Sequence, residues 1–156
     1  RPSRGKHLSI LQYPRNLIGY NDAHSIELDP STTHPVIALM PDQNDVEDIG
    51  GTLRLGSYPC NLDKSSRAYQ LYGEETIHER HRHRYEVNND YRTVLTEHGM
   101  KLSGLSPDGR IIEMCELPEH PFFVATQAHP ELKSRPNRPH PLFRGFVAAA
   151  LEHKKN

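Results

Sequence analysis

Two short segments of this chain concentrate residue types that can do chemistry. The first is Gln127-Ala128-His129-Pro130-Glu131, at the end of a hydrophobic run over 121–127. In open α/β sheets the strand ends border the ligand crevice, so a histidine leaving a strand there is well placed for catalysis. Pro130 supplies the turn that lets both side chains face one way, and a carboxylate so placed could orient an imidazole as hydrolase triads do. The same spacing also suits a surface turn without function. The second is ERHRHRYEVNN over 79–89, whose strict alternation predicts a strand with Arg80, Arg82, Arg84 and Glu86 on one face and His81, His83, Tyr85 and Val87 on the other. Buried guanidinium must find an acid, an anionic ligand or water. Alternatively the arginines are charges that keep an edge strand from pairing with another chain. His81 and His83 have a spacing that a zinc ion allows, but no further ligands at a recognisable spacing accompany them. A nucleic-acid surface would need a wider basic patch with interleaved aromatics.

Bulk properties narrow these options. The formal net charge is −1 with 25% charged residues, so no global field recruits nucleic acid or an anionic membrane, and any basic function is local. With 156 residues, the chain fits one domain with one core. An apolar fraction of 35% and 13 prolines predict many loops and a modest core. Cys60 and Cys115 form no CxxC pair and read as small buried hydrophobes in a reducing compartment. No window reaches the ~18 apolar residues of a membrane span. The opening RPSRGKH lacks the apolar stretch of a secretory signal, so a cytoplasmic location is expected. The chain begins at Arg1 rather than Met, and 1–7 reads as an atypical junction.

Several elements must position the two segments. Apolar residues at 8, 10, 11, 17 and 18 predict a helix over 8–20 that Pro14 kinks. VIALM over 36–40 reads as a buried strand, followed by the acidic loop DQNDVED and Gly50-Gly51. TLRLG over 52–56 is a second strand, and SSRAYQLYG over 65–73 a short helix with a Ser cap and a Gly stop. Asn88 or Asn89 caps a helix over 90–98, and 101–117 forms a hairpin around Asp108-Gly109. A last strand spans 121–127. After a proline-rich loop, a helix over 141–155 starts with Pro141 in its first turn.

Taken together, GGTLRLG at 50–56, ERHRHRYEVNN at 79–89, HPFFVATQAHPELKSRP at 120–136 and PLF at 141–143 closely resemble, in that order, the glutamine amidotransferase domain of CTP synthases. The resemblance runs from about 8 to 151, leaving 152–156 as a tail. It implies an α/β fold, a flavodoxin-like class I amidotransferase sheet with helices on both faces and added antiparallel strands. It also implies the activity: a Cys-His-Glu triad hydrolyses glutamine, and the ammonia passes to a synthetase domain that aminates UTP to CTP with ATP. In that scheme His129 resembles the general base and Glu131 the acid that orients it. Glu27 is similar to the glutamate holding the α-amino group of glutamine, and Arg84 to an arginine that contacts glutamine. Thr52 and Arg54 resemble positions implicated in activation by GTP. No metal or cofactor is implied for this domain. ATP and Mg would belong to the synthetase domain, the implied partner, with neither nucleic acid nor membrane involved. Arg80 and Arg82 become expected ion-pair partners.

One block departs from the pattern. The elbow that carries the family's nucleophile, of the type GICLGMQ, falls on RPSRGKH, where only Gly5 matches and Ser3 stands at the cysteine position. A hydroxyl is far less ionised than a thiol. The strand entering the elbow and the glycine loop of the oxyanion hole are not found either. The expectation is therefore a domain whose first part is missing, with 8–151 a partial amidotransferase domain that is inactive alone. The rival is a non-catalytic remnant that binds glutamine or intact CTP synthase. Another class I amidotransferase or a γ-glutamyl hydrolase relative would share the HPE block, but the HRHRYEV block argues against it.

Overall fold

A computed structural model describes residues 5–39 and 54–155. Ser3, Thr52, Met40, the acidic loop and Gly50-Gly51 lie outside the described residues. The first helix, α1 (Gly5–Tyr13), buries Ile10 and Leu11. Pro14 does not end it. Proline has no N–H to give the preceding turn, and the chain widens there into a π-helical turn, Pro14–Ile18, closed by Gly19 at φ 85°. The strands β1 (His24–Ser25) and β2 (Pro35–Ala38) follow and run parallel.

The strand predicted over 52–56 continues much further, as β3 (Arg54–Leu62). Pro59 made its second half look like a turn, but it stands opposite His78 of β4 (Thr76–His83). At a non-hydrogen-bonded pair of an antiparallel ladder no donor is needed. Between them lies α2 (Arg67–Tyr72), where the Ser66 hydroxyl accepts the Tyr69 N–H and Gly73 closes the end.

The alternation predicted over 80–87 holds only to His83. Along β4, Ile77, Glu79, His81 and His83 are buried while Thr76, His78, Arg80 and Arg82 are exposed. The chain then turns at Arg84 and Tyr85, and β5 (Glu86–Val87) joins β2 in a different sheet. Glu86 therefore does not share the arginine face. It is buried, and accepts a hydrogen bond from His83 at 2.8 Å.

Asn88 caps the turn that leads into α3 (Arg92–Glu97). The expected hairpin forms from β6 (Lys101–Leu105) and β7 (Ile112–Glu116). Of the strand expected over 121–127 only β8 (Val124–Thr126) pairs, against β7. The last helix is α4 (Pro141–His153), with Pro141 in its first turn.

The result is a mixed α/β domain: a small sheet ordered β1-β2-β5 and a larger antiparallel sheet ordered β4-β3-β6-β7-β8. All five residues of β7 are buried. Its neighbours Met114 and Cys115 point to different apolar clusters. Met114 packs with Cys60, Leu62, Ala68, Ile77 and Leu142, beneath α2 and α4. Cys115 packs with α1, the small sheet and Leu95 of α3. Helices α2 and α4 approach closely because position 145 is glycine; a Cβ there would lie 2.5 Å from Leu71 Cδ2. Among the described residues no helix is long and apolar enough to cross a membrane.

Candidate active site

The site is built where β8 ends. Gln127 is fully buried, and its amide oxygen accepts from Lys6 Nζ at 2.5 Å. Its Nε2 donates to the Tyr85 carbonyl at 2.7 Å and lies 3.0 Å from His7 Nε2. One amide thus ties together the start of α1, the Arg84–Tyr85 turn and the strand that delivers His129. The sequence offered a faint signal, a single polar amide closing an apolar run, but no role could be assigned to it there. Lys6 was missed altogether. It is buried inside the domain, where it also donates to the Ile112 carbonyl at 2.5 Å. Burial pushes its ammonium below the ordinary lysine range.

Two residues on, the His129 N–H donates to the Arg80 carbonyl at 2.8 Å, and Pro130–Leu132 form one 3₁₀ turn. That turn brings Glu131 back onto the imidazole, with Nδ1 of His129 2.6 Å from Glu131 Oε1. A carboxylate only accepts, so Nδ1 carries the hydrogen, and in the neutral ring Nε2 keeps its lone pair. Nε2 is buried and has no hydrogen-bond partner among the described residues. The expected pair is therefore assembled with its basic nitrogen unused.

Arg84 lies in the turn after β4, half-buried, and its Nε is buried without a hydrogen-bond partner. Its neighbour Tyr85 is bonded to Gln127, so Arg84 and His129 are held by one junction. Glu27 is exposed in the loop after β1, where its N–H donates to Ser25 Oγ at 3.3 Å. Its carboxylate makes no bond to His129 or Arg84. The link between them is indirect: the Ile26 N–H bonds β2, and β2 pairs with the strand that follows Arg84.

Arg54 occupies a different place. Its guanidinium donates to Glu113 at 2.7 Å and to Glu86 at 3.2 Å, and it lies 4.5 Å above the Tyr58 ring centre. Although burial opposes ionisation of Glu86, the hydrogen bond from His83, with Lys6 and Arg54 nearby, holds its carboxyl below the usual range. Burial, with His83 and Arg54 close by, pushes His81 down to about 3. Among the described residues neither of its ring nitrogens is hydrogen-bonded, although Glu113 Oε2 lies 3.6 Å from Nε2. Among the described residues no group of three or more His, Cys, Asp or Glu is placed to hold a metal ion. Arg80 and Arg82, expected as ion-pair partners, form no ion pair among the described residues. They are exposed on the outer side of β4. Cys60 and Cys115 are both buried, and burial raises their thiols to about 12 and about 11. Such thiols are inert as nucleophiles.

Comparison with known proteins gives one consistent picture. The family profile described as Glutamine amidotransferase class-I matches residues 18–149. The chain is 55% identical to a CTP synthase of Clostridium beijerinckii over 152 residues, 97% of this chain and 28% of that protein. It is 59% identical to a CTP synthase of Synechococcus sp. over 148 residues, 95% of this chain and 27% of the relative. The chain thus spans little more than a quarter of the length of these relatives. Among solved structures it is similar to the glutaminase domain of Trypanosoma brucei CTPS with bound acivicin, at 34% identity and a TM-score of 0.88, covering 95% of this chain and 58% of the other.

Proposed function

The chain belongs to the class-I glutamine amidotransferase family, and on that premise we propose that it is the glutaminase part of a CTP synthase. The observation that carries the reading is the His129–Glu131 pair, which leaves Nε2 unbonded. An imidazole so held can take the proton from an attacking thiol and return it to departing ammonia. Glu131 fixes the tautomer and stabilises the imidazolium in between. Arg84, with an unpartnered buried Nε, suits the carboxylate of glutamine, and the free carboxylate of Glu27 suits its ammonium. The ammonia would serve ATP-dependent amination of UTP in a synthetase domain, where ATP and Mg belong. Activation by GTP would involve Thr52 and Arg54, and the enzyme would act in the cytoplasm. The high identity to CTP synthases supports these extensions.

By itself the chain binds glutamine without turning it over, because Ser3 stands where the family has its nucleophile and the two cysteines are buried. Two measurements on the purified chain test this. Glutamine should shift amide resonances around Arg84 and Glu27, and the shifts should vanish in Arg84→Ala. Glutamate release should stay at background. Release that disappears in His129→Ala would overturn the inactivity. Binding unaffected by Arg84→Ala would overturn the assignment of the pocket.

A further inference from the structure

The strand β4 is at the edge of the large sheet. Its inner edge pairs with β3, so the carbonyls of alternate residues face outward with no strand to receive them. Two of these, on His78 and Arg80, are used by the segment that carries the catalytic pair. The Arg80 carbonyl takes the His129 N–H at 2.8 Å, and the His78 carbonyl takes the Lys133 ammonium. His78 and Arg80 are two residues apart and so face the same way. The five residues 129–133 are therefore held at both ends on one edge.

Between the two anchors the 3₁₀ turn is closed by its own bonds. The Leu132 N–H reaches the His129 carbonyl, and the Lys133 and Ser134 N–H groups both reach the Pro130 carbonyl. At the far end the ammonium is also attracted to the buried carboxylate of Glu79, 3.5 Å away. Glu79 is itself held by His140 at 2.9 Å and by the Tyr72 hydroxyl at 3.1 Å. Glu131 has no such support: its side chain is 42% exposed and, among the described residues, its only bond is to His129. What keeps it over Nδ1 is the path of the backbone between the two anchors.

We propose that Lys133 is a positioning residue for the catalytic pair, fixing the turn on the free edge of β4 so that Glu131 stays on Nδ1 of His129. The inference rests on reading that pair as the family's base and acid. Lys133 touches neither the imidazole nor the expected glutamine contacts; it acts through the turn.

Long-range proton–nitrogen spectra of the histidine rings in the 156-residue chain test it, with His129 assigned from His129→Ala. In the unsubstituted chain, His129 should show a protonated Nδ1 and a bare Nε2. In Lys133→Gln this pattern should be lost, because the freed turn lets the imidazole return to the Nε2–H form that free histidine prefers. In Lys133→Arg, which keeps a cation able to reach the His78 carbonyl, it should return. His140 keeps Nε2–H in all three and reports an intact fold, since Glu79 and the Leu142 N–H hold it independently. An Nδ1–H pattern that survives in Lys133→Gln overturns the anchor and leaves the site intact. Its absence from the unsubstituted chain overturns the reading of the pair, and the anchor with it.

Discussion

His129 and His140 each hold a carboxylate through one ring nitrogen, at 2.6 Å from Glu131 and 2.9 Å from Glu79. Both are almost fully buried, yet their ring nitrogens are used differently. His140 uses both nitrogens: Nε2 donates to Glu79, while Nδ1 accepts the Leu142 N–H and caps α4. Its acid is buried and shared with Tyr72 and Lys133. His129 commits only Nδ1, to an acid 42% exposed, and leaves Nε2 unbonded. His81 completes the contrast, being buried with neither nitrogen hydrogen-bonded among the described residues. A histidine beside an acid is thus no sign of catalysis by itself. The informative quantity is which nitrogen is spent, and whether the other is left free at a place a substrate can reach.

The comparison breaks most readily at Glu79. Replacing it with alanine strips the partner from buried His140 and Tyr72 and frees Lys133, and should lower unfolding free energy by about 3–5 kcal/mol in urea titrations. A loss below about 1 kcal/mol would mean that the His140 pair is as dispensable as a surface contact.

The second test concerns His81. Its folded-state value, about 3, lies far below that of an unfolded histidine. Between those values the unfolded chain binds a proton that the folded chain refuses, so stability falls as pH falls. The slope should approach about 1 kcal/mol per pH unit below about pH 6, and His81→Phe should flatten it. An unchanged slope would assign the acid sensitivity to other groups, such as Glu86.

The smallest effect is expected at the His129–Glu131 pair itself. His129→Ala removes one partly exposed hydrogen bond and should cost about 1 kcal/mol, although it removes the proposed base. If it destabilised the chain as much as Glu79→Ala, the distinction drawn between His129 and the structural His140 would fail.

Much of this was legible in the residues. Ser and Gly bounded α2, Asn88 marked the start of the α3 turn, Asp108-Gly109 marked the hairpin, and the His-Pro-Glu spacing indicated the contact between His129 and Glu131. These are local signals, carried by residues within a few positions of one another. The second half of β3 was obscured by Pro59, whose missing donor matters only if its partner needs one. The alternation over 80–87 suggested one strand, because nothing in the local pattern reveals that the chain leaves one sheet after His83 and enters another at Glu86.

By itself the sequence determined the family and the α/β class and singled out His129 and Glu131 as a pair, because each rests on motifs read along the chain. Only the tertiary structure decided which charged residues are inside and what they hold. Arg54 sits between Glu113 and Glu86, Lys6 reaches Gln127 across 121 positions, and Lys133 meets the edge of β4 across 55. The physical reason is that a buried charge or amide takes whichever partner the fold brings within about 3 Å, and sequence separation carries no information about that distance.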